Sequence, residues 1–318
     1  MDLVTADDVR AAATRIAGLV VRTPLTTGPG ADAGFCLKPE SLQPTGAFKL
    51  RGAGNAVALL SPDRRANGVV THSSGNHGLA LARAARAQGT SCTVVVPESA
   101  PTVKVDRIRE TGARVELVPV EERLARARQL EEEQGLALVP PFDDPNVIAG
   151  QGTVGSEILE QSPDVETIVV PVGGGGLASG VATAAQAVPG VRVVGVEPEL
   201  AADAAESLRL GRRVTWPDES TGRTMADGVR TGLSERTYEH LRARSGGVVT
   251  VTEDEIAHAV RVLACQARLV AEPSGALAAA AILAGRVPGD PARPEATVAV
   301  VSGGNVDPAL FARLIAAA

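Results

Sequence analysis

The sequence predicts an α/β protein with two domains, each an open, mostly parallel twisted sheet flanked by helices. Its candidate strands, such as 92–97 and 297–302, are continuous apolar runs of the kind found in parallel sheets covered on both faces. Helical patterns of about 10–15 residues separate these strands, which is typical of strand–helix–strand units. The length of 318 residues fits two domains of about 100–200 residues each.

The individual elements alternate along the chain. Thr5 and Asp8 form a capping pattern for a first helix that extends to about Ile16. The other predicted helices are 78–89, 103–112, 121–134, 146–161, an Ala-rich helix that ends at 188, 253–270 and 276–283. The predicted strands are 68–72, 92–97, 114–119, 166–172, 191–197 and 297–302.

These elements divide into two groups. The stretch 66–146 contains about three strand–helix units and is expected to close as a small domain. Residues 1–65 and 147–318 together form the large domain, so a cleft is expected between the two sheets.

Composition and charge exclude several classes of protein. The 31 basic and 37 acidic residues give a net charge of −6 without a basic stripe, which argues against nucleic-acid binding. No apolar run reaches the about 18–20 residues of a membrane span, and the N-terminus lacks a signal pattern, so we expect a cytoplasmic protein without a membrane partner. Cys36, Cys92 and Cys265 are too few and too widely spaced for a disulfide framework or a zinc cluster. Base rates favour a homodimer.

The segment KPESLQPTGAFKLRGA contains the first candidate reactive group. A helix beginning near Phe48 places Lys49 in its first turn, where the positive helix end disfavours an ammonium group. Burial would lower the pKa of the lysine further. A neutral lysine attacks carbonyl carbons and forms Schiff bases. The alternative is a solvated surface lysine.

The segment THSSGNHG joins a buried strand to a helix. Its hydroxyls, its amide and the free N–H groups at the helix start suit an anionic group. The alternative is an ordinary Ser/Asn helix cap. His72 and His77 have no third metal ligand nearby in the sequence, which favours capping or loop roles for both.

Four glycines follow the strand in VVPVGGGGLASG, and they let backbone N–H groups surround a phosphate at the next helix start. No Gly-Lys-Ser/Thr follows, so this is not a nucleoside-triphosphate loop. A dinucleotide fingerprint competes, since Gly173, Gly175 and Ala178 fit its pattern and Glu197 ends the next strand. Later in the chain, Ser302 ends a strand beside two glycines, either as a plain turn or facing a ligand.

Together, TGAFKLRGA, SSGNHG, GGGG and SGGN resemble the serine/threonine dehydratase family of pyridoxal-phosphate enzymes, fold type II, which includes threonine ammonia-lyases and serine racemases. The four motifs occur in the family's order, and the resemblance covers nearly the whole chain. It implies pyridoxal 5'-phosphate in the cleft between the two domains, and it displaces the dinucleotide interpretation.

The resemblance also implies a role for each matched residue. Lys49 would be the Schiff-base lysine, and Phe48 would pack on the cofactor ring. Asn76 would bind the ring hydroxyl, and Ser302 would face the pyridine nitrogen. The phosphate would be bound by Gly173, Gly174, Gly175 and Gly176. Ser74 matches a catalytic serine on the far side of the substrate. The substrate carboxylate would be bound by Ser73, Ser74, Gly75, Asn76 and His77.

The segment EPELAAD resembles the family's cation site. This implies Mg²⁺ or Ca²⁺ bound by Glu197, the carbonyl of Ala201 and Asp203. Glu199 and Leu200 stand where small polar residues are common in the family, and the alternative is a pair of solvated acids at a strand end.

The implied reaction is the removal of water from a β-hydroxy amino acid, L-threonine, L-serine or 3-hydroxyaspartate, giving a 2-keto acid and ammonia. A racemase or bifunctional enzyme is the alternative, because a serine opposite Lys49 could deliver a proton to the other face of the substrate. β-Replacement synthases have different lysine and asparagine motifs. A non-catalytic ligand-binding homologue would have no need for all of Lys49, Ser74, Asn76 and Ser302.

Overall fold

The computed structural model describes residues 2–30, 33–73 and 75–316, and it contains two sheets with helices on their faces. The strands are β1 (Thr26–Thr27), β2 (Cys36–Pro39), β3 (Val69–Thr71), β4 (Cys92–Pro97), β5 (Arg114–Val118), β6 (Ala137–Leu138), β7 (Thr167–Pro171), β8 (Arg192–Pro198), β9 (Val248–Val251) and β10 (Thr297–Val301). The first seven helices are α1 (Ala6–Ile16), α2 (Lys49–Ala58), α3 (Pro62–Asn67), α4 (Asn76–Ala87), α5 (Thr102–Glu110), α6 (Arg123–Gln134) and α7 (Pro145–Gln161). The other seven are α8 (Gly176–Ala185), α9 (Asp203–Leu210), α10 (Asp218–Thr221), α11 (Glu235–Arg244), α12 (Glu253–Cys265), α13 (Pro273–Leu283) and α14 (Pro308–Ala316).

The larger sheet has the strand order β1-β2-β10-β7-β8-β9. Every pair in it is parallel except β1 with β2. All residues of the central strands β10 and β7 are buried, as expected for strands covered by helices on both faces. Because these strands are parallel, their carboxyl ends share one edge of the sheet, which is where ligands bind in folds of this kind.

The smaller sheet is entirely parallel and has the order β5-β4-β3-β6. The two sheets confirm the predicted fold class. The boundaries at 65/66 and 146/147 remain a proposal. Helix α2, which precedes the first boundary, places Leu50 and Val57 in the same apolar core as Val69, Leu81 and Val94 of the small sheet.

Several local predictions are confirmed, and the bounds of some helices differ from the predicted ones. Thr5 and Asp8 form the capping box of α1. Helix α12 ends at Cys265 instead of 270, and Arg268 just beyond it has a left-handed φ of 59° that no continuing helix could accommodate. Helix α13 begins at Pro273 instead of 276, because proline is well suited to the first helical position. The patterns missed the strands β1, β2, β6 and β9 and the helices α3, α9, α10, α11 and α14.

Across the described ranges, none of the helices combines the length and the apolar character needed to cross a lipid bilayer.

Candidate active site

Two turns, 45–48 and 302–305, lie against each other at the carboxyl edge of the larger sheet. The Phe48 N–H donates to the Ser302 carbonyl at 3.0 Å, and the Gly304 N–H donates to the Gly46 carbonyl at 2.9 Å. Ala47 and Gly303 form an isolated antiparallel bridge between these contacts. The buried Ser302 and the first residue of α2 are thereby held side by side, so two of the four sequence motifs form one structural unit.

Lys49 is the first residue of α2 and is partly buried. Its Nζ donates to the Pro141 carbonyl at 2.8 Å and lies 5.1 Å from the centroid of the Phe48 ring. Desolvation lowers the pKa of Lys49 to about 8, although the Glu272 carboxylate acts in the opposite direction. The pKa of Lys49 is therefore close to neutral pH, so part of the lysine population is uncharged and can act as a nucleophile or a base.

The two other lysines of the chain are occupied elsewhere. Lys38 is fully buried and contacts Glu157 at 2.6 Å, and Lys104 contacts Asp227 at 2.8 Å. Of the three lysines, Lys49 is the one beside the glycine-rich loop.

The glycine loop 173–176 connects β7 to α8, and Gly175 adopts a left-handed φ of 83°. A Cβ atom at Gly174 would lie 2.3 Å from a ring carbon of Phe142, and one at Gly173 would lie 2.7 Å from the Val229 Cα. Only glycine fits these positions, and the first N–H groups of α8 have no acceptor within the helix. The loop therefore has the geometry of a phosphate cradle.

Phe142 links this cradle to the lysine. Its ring lies against Gly174, and its chain neighbour Pro141 accepts the hydrogen bond from Lys49. The lysine and the glycine loop, about 125 residues apart in sequence, thus meet on either side of a two-residue segment.

Asn76 begins α4 and lies within a partly buried polar network. Its Nδ2 donates to Glu272 Oε1 at 2.6 Å, and its Oδ1 accepts from Asn305 Nδ2 at 2.7 Å. Burial, together with the charge of Asp227, raises the pKa of Glu272 to about 7. The Glu272 N–H donates to the Gly303 carbonyl at 3.0 Å, next to the turn that begins the lysine helix, and its carboxylate raises the pKa of Lys49, so the glutamate lies close to both the asparagine and the lysine.

The loop predicted to hold the substrate carboxylate is described except for Ser74, which lies outside the described residues. Ser73 and Gly75 are partly buried, and the Gly75 N–H is 3.4 Å from Ser73 Oγ. His77 is buried and its Nε2 is 3.0 Å from the Val139 carbonyl, while desolvation lowers its pKa to about 3. A neutral imidazole donating to Val139 leaves Nδ1 as an acceptor, so we expect the backbone of residue 77, not its side chain, to face a carboxylate.

Sequence reasoning missed three residues of this site: Phe142, Glu272 and Asn305. Phe142 is one of only four phenylalanines, which was a usable signal. Asn305 completes the SGGN motif whose serine was selected. Glu272 had only the weak signal of an acid before the Pro-Ser-Gly start of α13, and tertiary contacts alone bring it to Asn76.

The predicted cation ligands lie at the end of β8 and the start of α9. The Glu197 carboxylate accepts the N–H groups of Ala204 and Ala205, so it faces α9 and not the glycine loop. Burial and the neighbouring charge of Asp203 raise the pKa of Glu197. Asp203 Oδ2 is buried and has no hydrogen-bond partner among the described residues.

Two close, buried carboxylates and an unpartnered oxygen fit a hard cation. Within the described ranges, no group of three or more His, Cys, Asp or Glu side chains surrounds a possible metal position. The proposed set needs only two such side chains and the Ala201 carbonyl, so the cation site remains a proposal.

The chain matches the family model described as pyridoxal-phosphate dependent enzyme over residues 16–303. Among curated proteins it is 40% identical to a serine racemase of Oryza sativa subsp. indica over 308 residues, covering 94% of this chain and 90% of the relative. It is 39% identical to an L-threonine ammonia-lyase of Thermotoga maritima over 321 residues, covering 98% of this chain and 78% of the relative.

A solved structure agrees with these relatives. The crystal structure of a serine racemase from Dictyostelium discoideum superimposes with a TM-score of 0.88 at 38% identity, covering 96% of this chain and 99% of that one. The resemblance inferred from the four motifs is thereby confirmed at the level of the family.

Proposed function

Because the chain belongs to the family of pyridoxal-phosphate-dependent enzymes, we propose that it removes water from a β-hydroxy amino acid to give a 2-keto acid and ammonia. L-Threonine, L-serine and 3-hydroxyaspartate are the proposed substrates. The observation that carries the proposal is Lys49, whose pKa is lowered to about 8 beside the glycine loop and the Asn76–Glu272 pair. The relatives with ammonia-lyase activity support the choice of reaction.

The residues present fit the cofactor. The glycine loop offers N–H groups at the start of α8 and excludes any Cβ, as a phosphate cradle requires. The rest of the cofactor would be held by Lys49, Phe48, Asn76 and Ser302. Pyridoxal phosphate, when bound, serves as an electron sink for the negative charge that develops on the substrate Cα.

The protein orients the reacting groups and accepts a proton. Lys49 Nζ would take the proton from the substrate Cα, and a pKa of about 8 lies close to the expected working pH. The Cα–H and Cβ–O bonds break and a Cα=Cβ double bond forms, so the elements of water leave. The resulting enamine reacts with water to give the keto acid and ammonia. The Pro141 carbonyl holds the lysine in place through its hydrogen bond.

Ser302 would influence which reaction follows proton removal. It is buried at the carboxyl end of β10 and carries a neutral hydroxyl. A hydroxyl at the pyridine nitrogen stabilises ring protonation less than a carboxylate does. The negative charge is then dispersed less, which favours rapid loss of the β-hydroxyl.

The lysine assignment can be tested directly because the chain has only three lysines. Holoenzyme is treated with borohydride, which fixes the cofactor covalently on its lysine, and the labelled peptide is identified by mass spectrometry. We expect the label on Lys49 and none on Lys38 or Lys104. Keto-acid formation is measured in parallel with each of the three substrates. A label on another lysine, or no keto acid from any substrate, would contradict the proposal.

A serine racemase, alone or combined with the dehydratase, is the second candidate, because serine racemases are about as similar to this chain as the ammonia-lyases are. Ser74 would then deliver a proton to the substrate face opposite Lys49. A chiral assay with L-serine distinguishes the two. Pyruvate without D-serine supports the dehydratase alone, and D-serine formation faster than pyruvate formation supports the racemase.

We further propose that the enzyme is a cytoplasmic homodimer. The dimer is the commonest assembly among soluble oligomers. Light scattering of the purified protein gives the molar mass and tests this state directly.

A further inference from the structure

Helix α5 of the small sheet contacts the larger-sheet side of the cleft through two basic residues. Lys104 Nζ lies 2.8 Å from Asp227 Oδ2, and Arg107 Nη2 donates to Asn305 Oδ1 at 2.8 Å. The two basic residues are three positions apart and therefore share one face of the helix. Both of their partners lie next to the active-site network, since the charge of Asp227 raises the pKa of Glu272 and Asn305 donates to Asn76.

The Arg107 contact and the Thr45 contact both require one orientation of the Asn305 amide. An arginine can only donate hydrogen bonds, so the Asn305 atom that faces it must be the oxygen. On its other side, Asn305 Nδ2 donates to the Thr45 carbonyl at 2.8 Å and to Asn76 Oδ1 at 2.7 Å. A carbonyl can only accept, so both neighbours require the same orientation.

This orientation is passed on to Asn76. Because Asn305 donates to Asn76 Oδ1, the Asn76 NH₂ group must point to the opposite side, where it donates to Glu272 Oε1 at 2.6 Å. An amide NH₂ carries two hydrogens, so one remains for an acceptor in the cleft. Rotation of the amide by 180° would present a carbonyl oxygen there instead, and this would repel an oxygen on the cofactor ring.

We propose that Arg107 is a positioning residue for Asn76 and acts through Asn305. When α5 lies against the larger-sheet side of the cleft, Arg107 holds the Asn305 amide so that Asn76 turns its NH₂ group toward the ring oxygen of the cofactor. This inference rests on the proposed cofactor contact of Asn76. It links the position of the small domain to the geometry of a cofactor ligand.

The apparent dissociation constant of pyridoxal phosphate, measured by titrating the apoprotein, tests the inference without relying on turnover. Arg107 is exposed, so its hydrogen bond contributes modestly, and we expect Arg107→Ala to raise this constant by about three- to tenfold. Arg109→Ala is the matched control, because Arg109 lies on the same helix, is exposed, and its side chain donates to Asp106 of that helix. We expect no change for this control.

Asn305→Asp tests the relay itself. The aspartate preserves the size of the side chain and an acceptor for Arg107, but it cannot donate to Asn76. We expect its effect on the dissociation constant to exceed that of Arg107→Ala. In an Asn305→Ala background, which offers Arg107 no acceptor, Arg107→Ala should have no further effect, because the two residues act in one chain. The melting temperatures of the apoproteins show whether each variant is folded.

Each outcome decides the inference. Equal constants for Arg107→Ala and Arg109→Ala overturn it. If the wild-type enzyme forms no keto acid but the constants change as expected, the proposed reaction fails and the relay stands.

Discussion

Gly174 allows a test of the proposed cofactor cradle at the scale of one residue. A Cβ atom there would lie 2.3 Å from the Phe142 ring, which is far inside van der Waals contact. Gly174→Ala should therefore displace the ring or the loop at a cost of about 1–3 kcal/mol and weaken cofactor binding by at least about fivefold. Equilibrium dialysis of pyridoxal phosphate measures this change. Combining Gly174→Ala with Phe142→Ala should restore part of the affinity, and unchanged binding in the single variant would contradict the cradle.

Asp203 allows a test of the proposed cation at the scale of one residue. Its Oδ2 is buried and unpartnered among the described residues, and a cation that binds only the folded state stabilises it by mass action. We expect EDTA to lower both the melting temperature and the activity of the wild type, and Mg²⁺ to restore both.

Two variants distinguish the loss of a cation ligand from the loss of any acidic side chain in this segment. Asp203→Asn should abolish the response to EDTA and Mg²⁺, whereas Glu199→Gln, at an exposed position of the same segment, should respond like the wild type. If the wild type does not respond to EDTA or Mg²⁺, the two acids are not a cation site.

At the scale of elements, a buried ion network anchors the helix that carries Lys49. Arg51 of α2 is fully buried and contacts Glu40 at 2.7 Å and Glu157 at 2.7 Å, and Lys38 contacts the same Glu157. The network joins α2 to β2, to the 3-10 turn that follows it and to α7. It therefore holds the start of α2 against the larger sheet.

Removing one partner would leave charged groups buried without compensation. We expect Arg51→Met to lower the free energy of unfolding by about 3–5 kcal/mol. Arg22→Met breaks a surface pair with Glu160, whose side chains are 51% and 62% exposed, and should cost about 0–1 kcal/mol. Urea unfolding measures both variants. Similar losses in the two variants would show that the buried network does not anchor α2.

At the scale of the whole molecule, His240 ties the N-terminal segment to α11. Its Nε2 accepts the Val4 N–H at 3.0 Å, and its Nδ1 lies 2.8 Å from the Arg236 carbonyl, so the folded protein holds a neutral imidazole with the proton on Nδ1. Desolvation lowers the pKa of His240 below its ordinary value of 6.5.

The sign of the resulting pH dependence follows from proton binding. Below pH 6.5 the unfolded chain gains a proton that folded His240 does not, so the contribution of this residue is complete above that pH and is lost as the pH falls toward the folded pKa. We expect His240→Gln to reduce the loss of unfolding free energy between pH 7.5 and 5.5, measured in urea. Replacing the exposed His258 by glutamine should leave the wild-type loss in place. An unchanged pH dependence in His240→Gln would contradict this role.

The sequence by itself determined much of the fold and of the site, because these features depend on local patterns. Continuous apolar runs specified β4, β7 and β10, and the Thr5–Asp8 capping box specified the start of α1. Glycines before a helix start predicted the proposed cradle at 173–176, and Lys49 lies in the first turn of α2 as predicted.

Only the tertiary structure decided which groups meet. The contacts of Phe142, Glu272 and Asn305 could not be predicted from their sequence neighbours, since each contacts a residue far away in sequence: Gly174, Asn76 and Arg107 respectively. The sequence also did not predict the short strands β1, β6 and β9, because segments of two to four residues are too short for a periodic pattern. The end of α12 at Cys265 was likewise not predicted by the helical pattern. The lowered pKa of Lys49 also depends on the tertiary structure, since desolvation arises from neighbours that the fold brings together and not from adjacent residues.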